Sequence, residues 1–99
     1  MIRGTTPTHT FTLPFNASNI SKLRLTYSQG EKIIFEKTEK DVKLSGAKLE
    51  YTLSQQESLS FGEKAQVEIQ LKIKTMDGAV VASKIMRVNV STVLNEEVL

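Results

Sequence analysis

An uninterrupted alternation of apolar and polar residues runs along residues 65–73. The apolar members occupy every second position, and charged or amide side chains lie between them; the apolar set is Ala65, Val67, Ile69, Leu71 and Ile73. Because alternate side chains of a strand point to opposite faces, this pattern predicts a half-buried strand of an antiparallel sheet. Asp77-Gly78 and a second extended run over residues 80–90 follow, so the segment is predicted to form a long β-hairpin.

The side chains of this hairpin favour one register. A two-residue turn at Asp77-Gly78 sets Glu68 opposite Arg87 on the outer face and pairs apolar residues on the inner face. Lys84 disagrees with this register because it falls opposite Leu71 on the inner face. Either a β-bulge or a position near the end of the sheet would let the lysine reach solvent.

The same register places two apolar residues on the outer face, Val81 and Ile85. They form a candidate docking site for another protein, although a covering loop is an equal alternative. The last nine residues contain four further apolar side chains, which are Val93, Leu94, Val98 and Leu99. We expect this tail to pack on its own domain or on a neighbouring subunit, and we expect residues 2–6 to take part in the same contacts.

Further strands are predicted at residues 8–13, 22–28, 32–38, 42–44 and 48–53. The first is bounded by Pro7 and Pro14, which favours an edge position because proline donates no ladder hydrogen bond. A three-residue loop with Gly30 in a left-handed conformation is predicted to pair Tyr27 with Ile33.

Two local motifs connect the later strands. A two-residue turn at Gly46-Ala47 would pair Leu44 with Leu49, since glycine suits the first central position of a type II′ turn. The sequence from Ser54 to Glu57 is a capping box, which predicts a single helical turn at residues 54–59.

Six or seven short strands, one short helical turn and no internal repeat indicate an all-β chain. We predict an antiparallel two-sheet sandwich of immunoglobulin-like type, with residues 1–99 forming one domain. The chain has no Cys and no Trp, which are hallmarks of true immunoglobulin domains. A small barrel is the alternative architecture.

Charge adds one feature to this picture. The net charge is only +2 and the thirteen basic residues are spread along the chain, so nucleic-acid binding is not predicted. Residues 1–30 contain three bases and no acid, whereas the last nine contain two acids and no base. Such ends could meet in head-to-tail assembly, or they could be ordinary solvated surface.

No secretory signal or membrane-spanning run is present, so we expect a cytoplasmic site of synthesis and no membrane insertion.

Residues with catalytic or ligand chemistry are sparse. His9 is the only histidine, and it lies on the apolar side of the first predicted strand, so it is interpreted as a structural residue rather than a metal ligand or a catalytic base. The acids Glu36, Glu39 and Asp41 alternate with lysines, which is typical of a solvated turn. The five glycines are scattered, so no phosphate loop is predicted. We therefore expect no enzyme activity, no cofactor, no metal and no small-molecule substrate.

Three segments resemble a family of small, largely uncharacterised proteins encoded among tail and other structural genes of prophages in Gram-positive bacteria. The segments are residues 1–15 (MIRGTTPTHTFTLPF), 67–71 (VEIQL) and 93–99 (VLNEEVL). The resemblance implies a virion-associated or tail-associated structural protein that contacts other phage proteins or itself. It implies no catalytic or binding residue.

The sequence leaves open two alternatives to a structural protein. A carbohydrate-binding or ligand-binding module of a host-recognition apparatus would require Tyr27 or Tyr51 to be exposed beside a groove, because sugars stack on aromatic rings. A small regulatory or inhibitor protein is the other, and no residue discriminates it.

Overall fold

The computed structural model describes residues 1–99 as eight β-strands and two helical turns. The strands are β1 (Thr8–Thr12), β2 (Ile20–Gln29), β3 (Lys32–Thr38), β4 (Lys43–Ser45), β5 (Lys48–Thr52), β6 (Val67–Thr75), β7 (Val80–Ala82) and β8 (Met86–Val88). A 3-10 turn (Ala17–Asn19) precedes β2, and helix α1 (Gln55–Leu59) follows β5. No helix has the length and the apolar character that crossing a membrane requires.

The strands form two antiparallel sheets, so the prediction of an all-β chain is confirmed. The small sheet has the order β1-β5-β4, and the large sheet has the order β3-β2-β6, with β7 and β8 both paired to the far side of β6. Buried side chains of both sheets make one hydrophobic cluster, to which Phe11 and Leu49 contribute from the small sheet and Leu25 and Ile69 from the large one. Strand β1 lies at a sheet edge, as its flanking prolines predict.

The alternation along β6 is confirmed by burial. Val67, Ile69, Leu71 and Ile73 are buried, and the residues between them are exposed or half-buried. Strand β2 alternates in the same way and pairs with β6 over its full length, which places Leu25 opposite Leu71 and Tyr27 opposite Ile69. These two central strands therefore carry most of the core face of the large sheet.

The register of the C-terminal hairpin is correct far from the turn and wrong near it. Glu68 lies opposite Arg87, and their charged groups are 3.2 Å apart. Near the turn, Thr75 pairs with Ala79 and Gly78 has a positive φ of 91°, so the loop contains three residues instead of two. The extra loop residue shifts the pairing by one position.

A bulge at residues 83–85 restores the register, and it divides the returning strand into β7 and β8. The Ser83 amide donates to the Leu71 carbonyl at 2.8 Å, and the exposed Lys84 lies in the unpaired stretch beyond it. Of the two predicted ways for Lys84 to reach solvent, the structure shows the β-bulge. The predicted outward orientation of Val81 is wrong, because the shifted register sets it opposite Ile73 on the inner face.

The β2–β3 hairpin has a shorter loop than the sequence predicts. Its loop is the two-residue turn Gly30-Glu31, in which both residues have positive φ (60° and 65°), as in a type I′ turn. A bulge next to Tyr27 then brings Phe35 opposite that residue, and the two rings stack at 4.6 Å. Ile33 lies opposite Ser28 on the outer face instead of opposite Tyr27.

The two local motifs are confirmed. Leu44 lies opposite Leu49 across a turn in which Gly46 has a φ of 57°. The Ser54 hydroxyl accepts from the Glu57 amide, and the Glu57 carboxylate accepts from the Ser54 amide, so the capping box is complete. Helix α1 carries the chain from the small sheet towards the large one, and Phe61 is buried just beyond it.

Candidate functional site

The two terminal segments lie side by side in the folded chain. Ile2 forms a parallel bridge with Ser91, the Ser91 amide donates to the Met1 carbonyl at 2.7 Å, and the Arg3 amide donates to the Ser91 carbonyl at 3.1 Å. The segments that the sequence singles out as contact candidates are therefore neighbours, although about ninety residues separate them along the chain.

Arg3 connects these segments to the loop after α1. Its guanidinium donates to the carbonyl oxygens of Leu59 (3.0 Å) and Phe61 (2.7 Å), and it pairs with the carboxylates of Glu96 (3.0 Å) and Glu63 (3.3 Å). We call these groups the Arg3 cluster. Only 15% of the Arg3 side chain is exposed, so its hydrogen bonds form in a partly desolvated place.

The Arg3 cluster brings together one base of the first segment and one acid of the tail. The basic first segment and the acidic tail do meet, but they meet within one chain through Arg3 and Glu96. Sequence reasoning missed the carbonyl partners at Leu59 and Phe61, since no side-chain pattern marks a backbone acceptor.

Polar contacts hold the C-terminal tail, while most of its apolar side chains face outward. The Leu99 amide donates to the Gln55 side chain at 2.7 Å, and that side chain donates back to the Leu99 carbonyl at 3.0 Å. Val93 is half-buried beside Gly4. Leu94 is fully exposed, Leu99 is 94% exposed and Val98 is about half exposed. The tail thus lies on its own domain with its leucine side chains uncovered.

The hairpin candidates Val81 and Ile85 do not share a surface. Val81 lines a cleft of about 210 Å³ at the open end of the core, together with Phe11 and Ile73. Ile85 lies on the outer face of the large sheet, where it borders a shallow hollow with Ile33 and Gln70. The single docking spot predicted from the sequence is therefore divided between the two faces.

A compact polar network lies between α1 and the large sheet. The Glu57 carboxylate accepts from the Tyr51 hydroxyl at 2.7 Å and pairs with the Lys37 ammonium at 2.8 Å, and that ammonium also lies 5.6 Å from the centre of the Tyr51 ring. The capping box in the sequence predicts the helix-capping role of Glu57 but not its partners Lys37 and Tyr51, which come from other elements.

The network has shifted pKa values with clear causes. Burial, and then the hydrogen bond to Glu57, raises the pKa of Tyr51 to about 12. Burial alone would raise the pKa of Glu57, but hydrogen bonds from Lys37, the Ser54 amide and Tyr51 outweigh it and lower that pKa. The hydrogen bond to Glu57 raises the pKa of Lys37. Near neutral pH the arrangement therefore holds a charged Lys37–Glu57 pair and a neutral phenol.

His9 and Tyr27 form a second polar contact, inside the core. The His9 Nδ1 and the Tyr27 hydroxyl are 2.7 Å apart, and Tyr27 is completely buried among aromatic rings. Burial, reinforced by the positive N-terminal amino group, lowers the pKa of His9. This placement agrees with the interpretation of His9 as a structural residue.

The tyrosines also bear on the ligand-binding alternative. Tyr27 is inaccessible, and Tyr51 is half-buried with its hydroxyl on Glu57 and a lysine beside its ring. Neither ring is exposed in the way that stacking on a sugar requires.

Comparisons with protein-family models, with curated proteins and with solved structures find no match to this chain. No group of three or more His, Asp and Glu side chains comes together in the arrangement of a metal site. Function is therefore inferred from the surfaces described above.

Proposed function

We propose that this chain is a non-enzymatic, tail-associated structural component of a phage or prophage particle that acts through protein–protein contacts. Its partners are other phage structural proteins or further copies of itself. The resemblance at residues 1–15, 67–71 and 93–99 supports this function, and the surface of the tail supports it independently.

The finer fold class that we propose is an immunoglobulin-like sandwich. The order β1-β5-β4 corresponds to strands B, E and D of that fold, and the order β3-β2-β6-β7/β8 corresponds to C′, C, F and G. The parallel bridge between Ile2 and Ser91 places the N-terminal segment beside the chain that follows β8. Such a sandwich supports many functions, so the assembly role rests on the surface and not on the fold.

One observation carries the proposal: contacts with the rest of the chain fix the backbone of the tail, while the leucine side chains of the tail are exposed. Arg3 and Gln55 fix the tail through Glu96 and the Leu99 backbone, while Leu94 and Leu99 remain uncovered. Burying one leucine side chain contributes about 2 kcal/mol. Because the backbone is already ordered, association would lose less conformational entropy than the docking of a free tail.

Two substitutions test this role without disturbing the polar contacts of the tail. Leu94→Ser combined with Leu99→Ser removes the apolar surface but retains Glu96 and the backbone of Leu99. In light scattering, we expect the assembly formed by the wild-type chain to dissociate towards the 11.0 kDa monomer. Deleting residues 93–99 should have the same effect while circular dichroism shows a folded domain.

A matched control is Met76→Ser, which removes an exposed apolar side chain from the loop between β6 and β7. This variant should keep the wild-type mass. If the wild type self-associates, an unchanged mass after both tail substitutions contradicts a role for the tail; if it cosediments with phage tail proteins instead, unchanged cosedimentation does so. A wild-type chain that neither self-associates nor cosediments with these proteins contradicts the assembly function.

A further inference from the structure

Four cations from distant parts of the sequence form a block on the outer face of the large sheet. Lys22 and Arg24 on β2 lie directly opposite Lys74 and Lys72 on β6. All four side chains are exposed, while the residues that alternate with them, Leu23 and Ile73 among others, are buried. We call the set Lys22, Arg24, Lys72 and Lys74 the basic face.

The positive charge of the basic face is almost uncompensated. Arg24 alone has a carboxylate within ion-pairing distance, that of Glu39 at 3.6 Å, and Lys22, Lys72 and Lys74 have none.

Nearby acids are engaged elsewhere or lie further along the sheet. The Asp41 carboxylate accepts from the Thr38 amide, and the Asp77 carboxylate accepts from Thr75. Glu36 lies opposite Thr26, the next outward position of β2 after Arg24. Apart from Glu39 beside Arg24, no carboxylate lies within ion-pairing distance of the four cations.

Like charges directly opposite each other on a sheet are unfavourable. Neighbouring outward positions are about 7 Å apart along a strand and about 5 Å apart between strands. These separations are shorter than the screening length of about 10 Å in 0.1 M salt, so the four potentials add. The basic face consequently attracts an anionic partner that carries several charges at similar spacing.

The surroundings of the basic face favour a protein partner over a nucleic acid. Val80 lies opposite Lys74 and is 58% exposed, and Ala82 lies opposite Lys72, so one border of the block is apolar. No aromatic side chain lies at an outward position of β2 or β6, and a single strand of nucleic acid would lack a stacking platform. Three of the four cations are lysines, which act as point charges and suit carboxylates without selecting base edges.

We propose that the basic face binds an acidic segment of a partner protein, with carboxylates over the four cations and an apolar side chain over Val80. The proposal rests on the assembly function above and names the chemistry of one partner. Alternate side chains of an extended segment repeat at about 7 Å, the same spacing that separates Lys22 from Arg24 and Lys72 from Lys74.

The test uses a variant that removes the positive potential and preserves the fold. Lys22→Glu combined with Lys72→Glu converts both like-charge pairs into opposite-charge pairs, because the remaining Lys74 and Arg24 then lie opposite glutamates. Lys48→Glu combined with Lys64→Glu is the matched control, since it changes net charge equally at exposed positions outside the basic face.

Binding is measured by fluorescence anisotropy with a labelled synthetic peptide of glutamate and valine residues. A peptide with glutamine in place of glutamate is the uncharged control. We expect the acidic peptide to bind the wild type and the Lys48/Lys64 control equally, to bind the Lys22/Lys72 variant roughly tenfold or more weakly, and to weaken as salt rises.

Three results would overturn the proposal. They are equal binding to both double variants, equal binding of the acidic and glutamine peptides, and tighter binding of a DNA oligonucleotide than of the acidic peptide at the same salt concentration. Failure of the assembly function is read separately, because the Leu94 and Leu99 substitutions change mass in light scattering and leave the basic face intact.

Discussion

The Arg3 cluster and the basic face place the same kind of charge in opposite environments. Arg3 is mostly buried and contacts two carbonyl oxygens and two carboxylates, so its charge joins three segments of one chain. The basic face carries four exposed cations, of which Arg24 alone has an acidic partner. We expect a cation to stabilise this fold where acceptors surround it, and to contribute little to stability where it is exposed without them.

Replacing Arg3 should have the largest effect on stability. Arg3→Ala removes charge-assisted hydrogen bonds and leaves the Leu59 and Phe61 carbonyls without that donor. We expect the free energy of unfolding to fall by about 2 kcal/mol in urea titrations, with faster hydrogen exchange in the tail. Arg3→Lys should recover only part of the loss, because an ammonium cannot reproduce the planar fork of donors.

Arg24→Ala is the matched control for that measurement. Arg24 is an exposed arginine with one carboxylate at 3.6 Å, so its removal should change stability by less than about 0.5 kcal/mol. Equal losses for Arg3→Ala and Arg24→Ala would refute the distinction between the two regions.

Glu57 is another charged group surrounded by hydrogen-bond partners, and its contribution to stability depends on pH. Its pKa is lowered in the folded chain, so folding favours the ionised form, and the stabilisation is complete above its ordinary value of 4.5. As pH falls through the lower folded value, this stabilisation is lost. Glu57→Gln should cost about 1 kcal/mol at pH 7 and flatten the decline of stability in acid, both measurable by urea unfolding across pH.

A Glu57→Gln chain that loses stability in acid as steeply as the wild type would show that other carboxylates dominate. Glu50→Gln provides the control, since the structure gives the Glu50 carboxylate no ion pair. That variant should follow the wild-type profile.

The smallest expected effect is a gain in stability on the basic face. Lys72→Gln removes the repulsion between Lys72 and Arg24 and should raise the free energy of unfolding by a few tenths of a kcal/mol. High salt should raise wild-type stability in the same direction and reduce the difference between the two chains. Thermal unfolding measures these changes in stability. In the same measurement, the control Lys48→Gln should show no gain in stability.

Turn lengths mark where sequence reasoning failed, and the reason is physical. The Asp77-Gly78 turn was predicted to have two residues and has three, whereas the turn around Gly30 was predicted to have three and has two. In each hairpin a bulge compensates for the loop length, so apolar residues still pair beyond the bulge, but Ile33 and Val81 change faces. A local pattern of glycine and polar residues does not distinguish these solutions, because the bulge is stabilised by partners across the sheet.

The candidate contact residues likewise differ in how far the local sequence predicts their orientation. Ile85 is outward as predicted, whereas Val81 turns inward because the longer loop shifts its register by one residue. The sequence predicts an apolar tail at residues 93–99 but not which side chains it exposes, since that depends on where Arg3 and Gln55 hold its backbone.

By itself the sequence determined the all-β class, the buried face of β6, the edge position of β1 and the capping box at Ser54. These features depend on a period of two, on proline lacking a donor and on hydrogen bonds within four residues, all of which are local. Only the tertiary structure decided that β2 pairs with β6 and that Arg3 meets Glu96. Lys22 and Lys74 are outward in the pattern of each strand, but their charges combine only because two strands about fifty residues apart become neighbours.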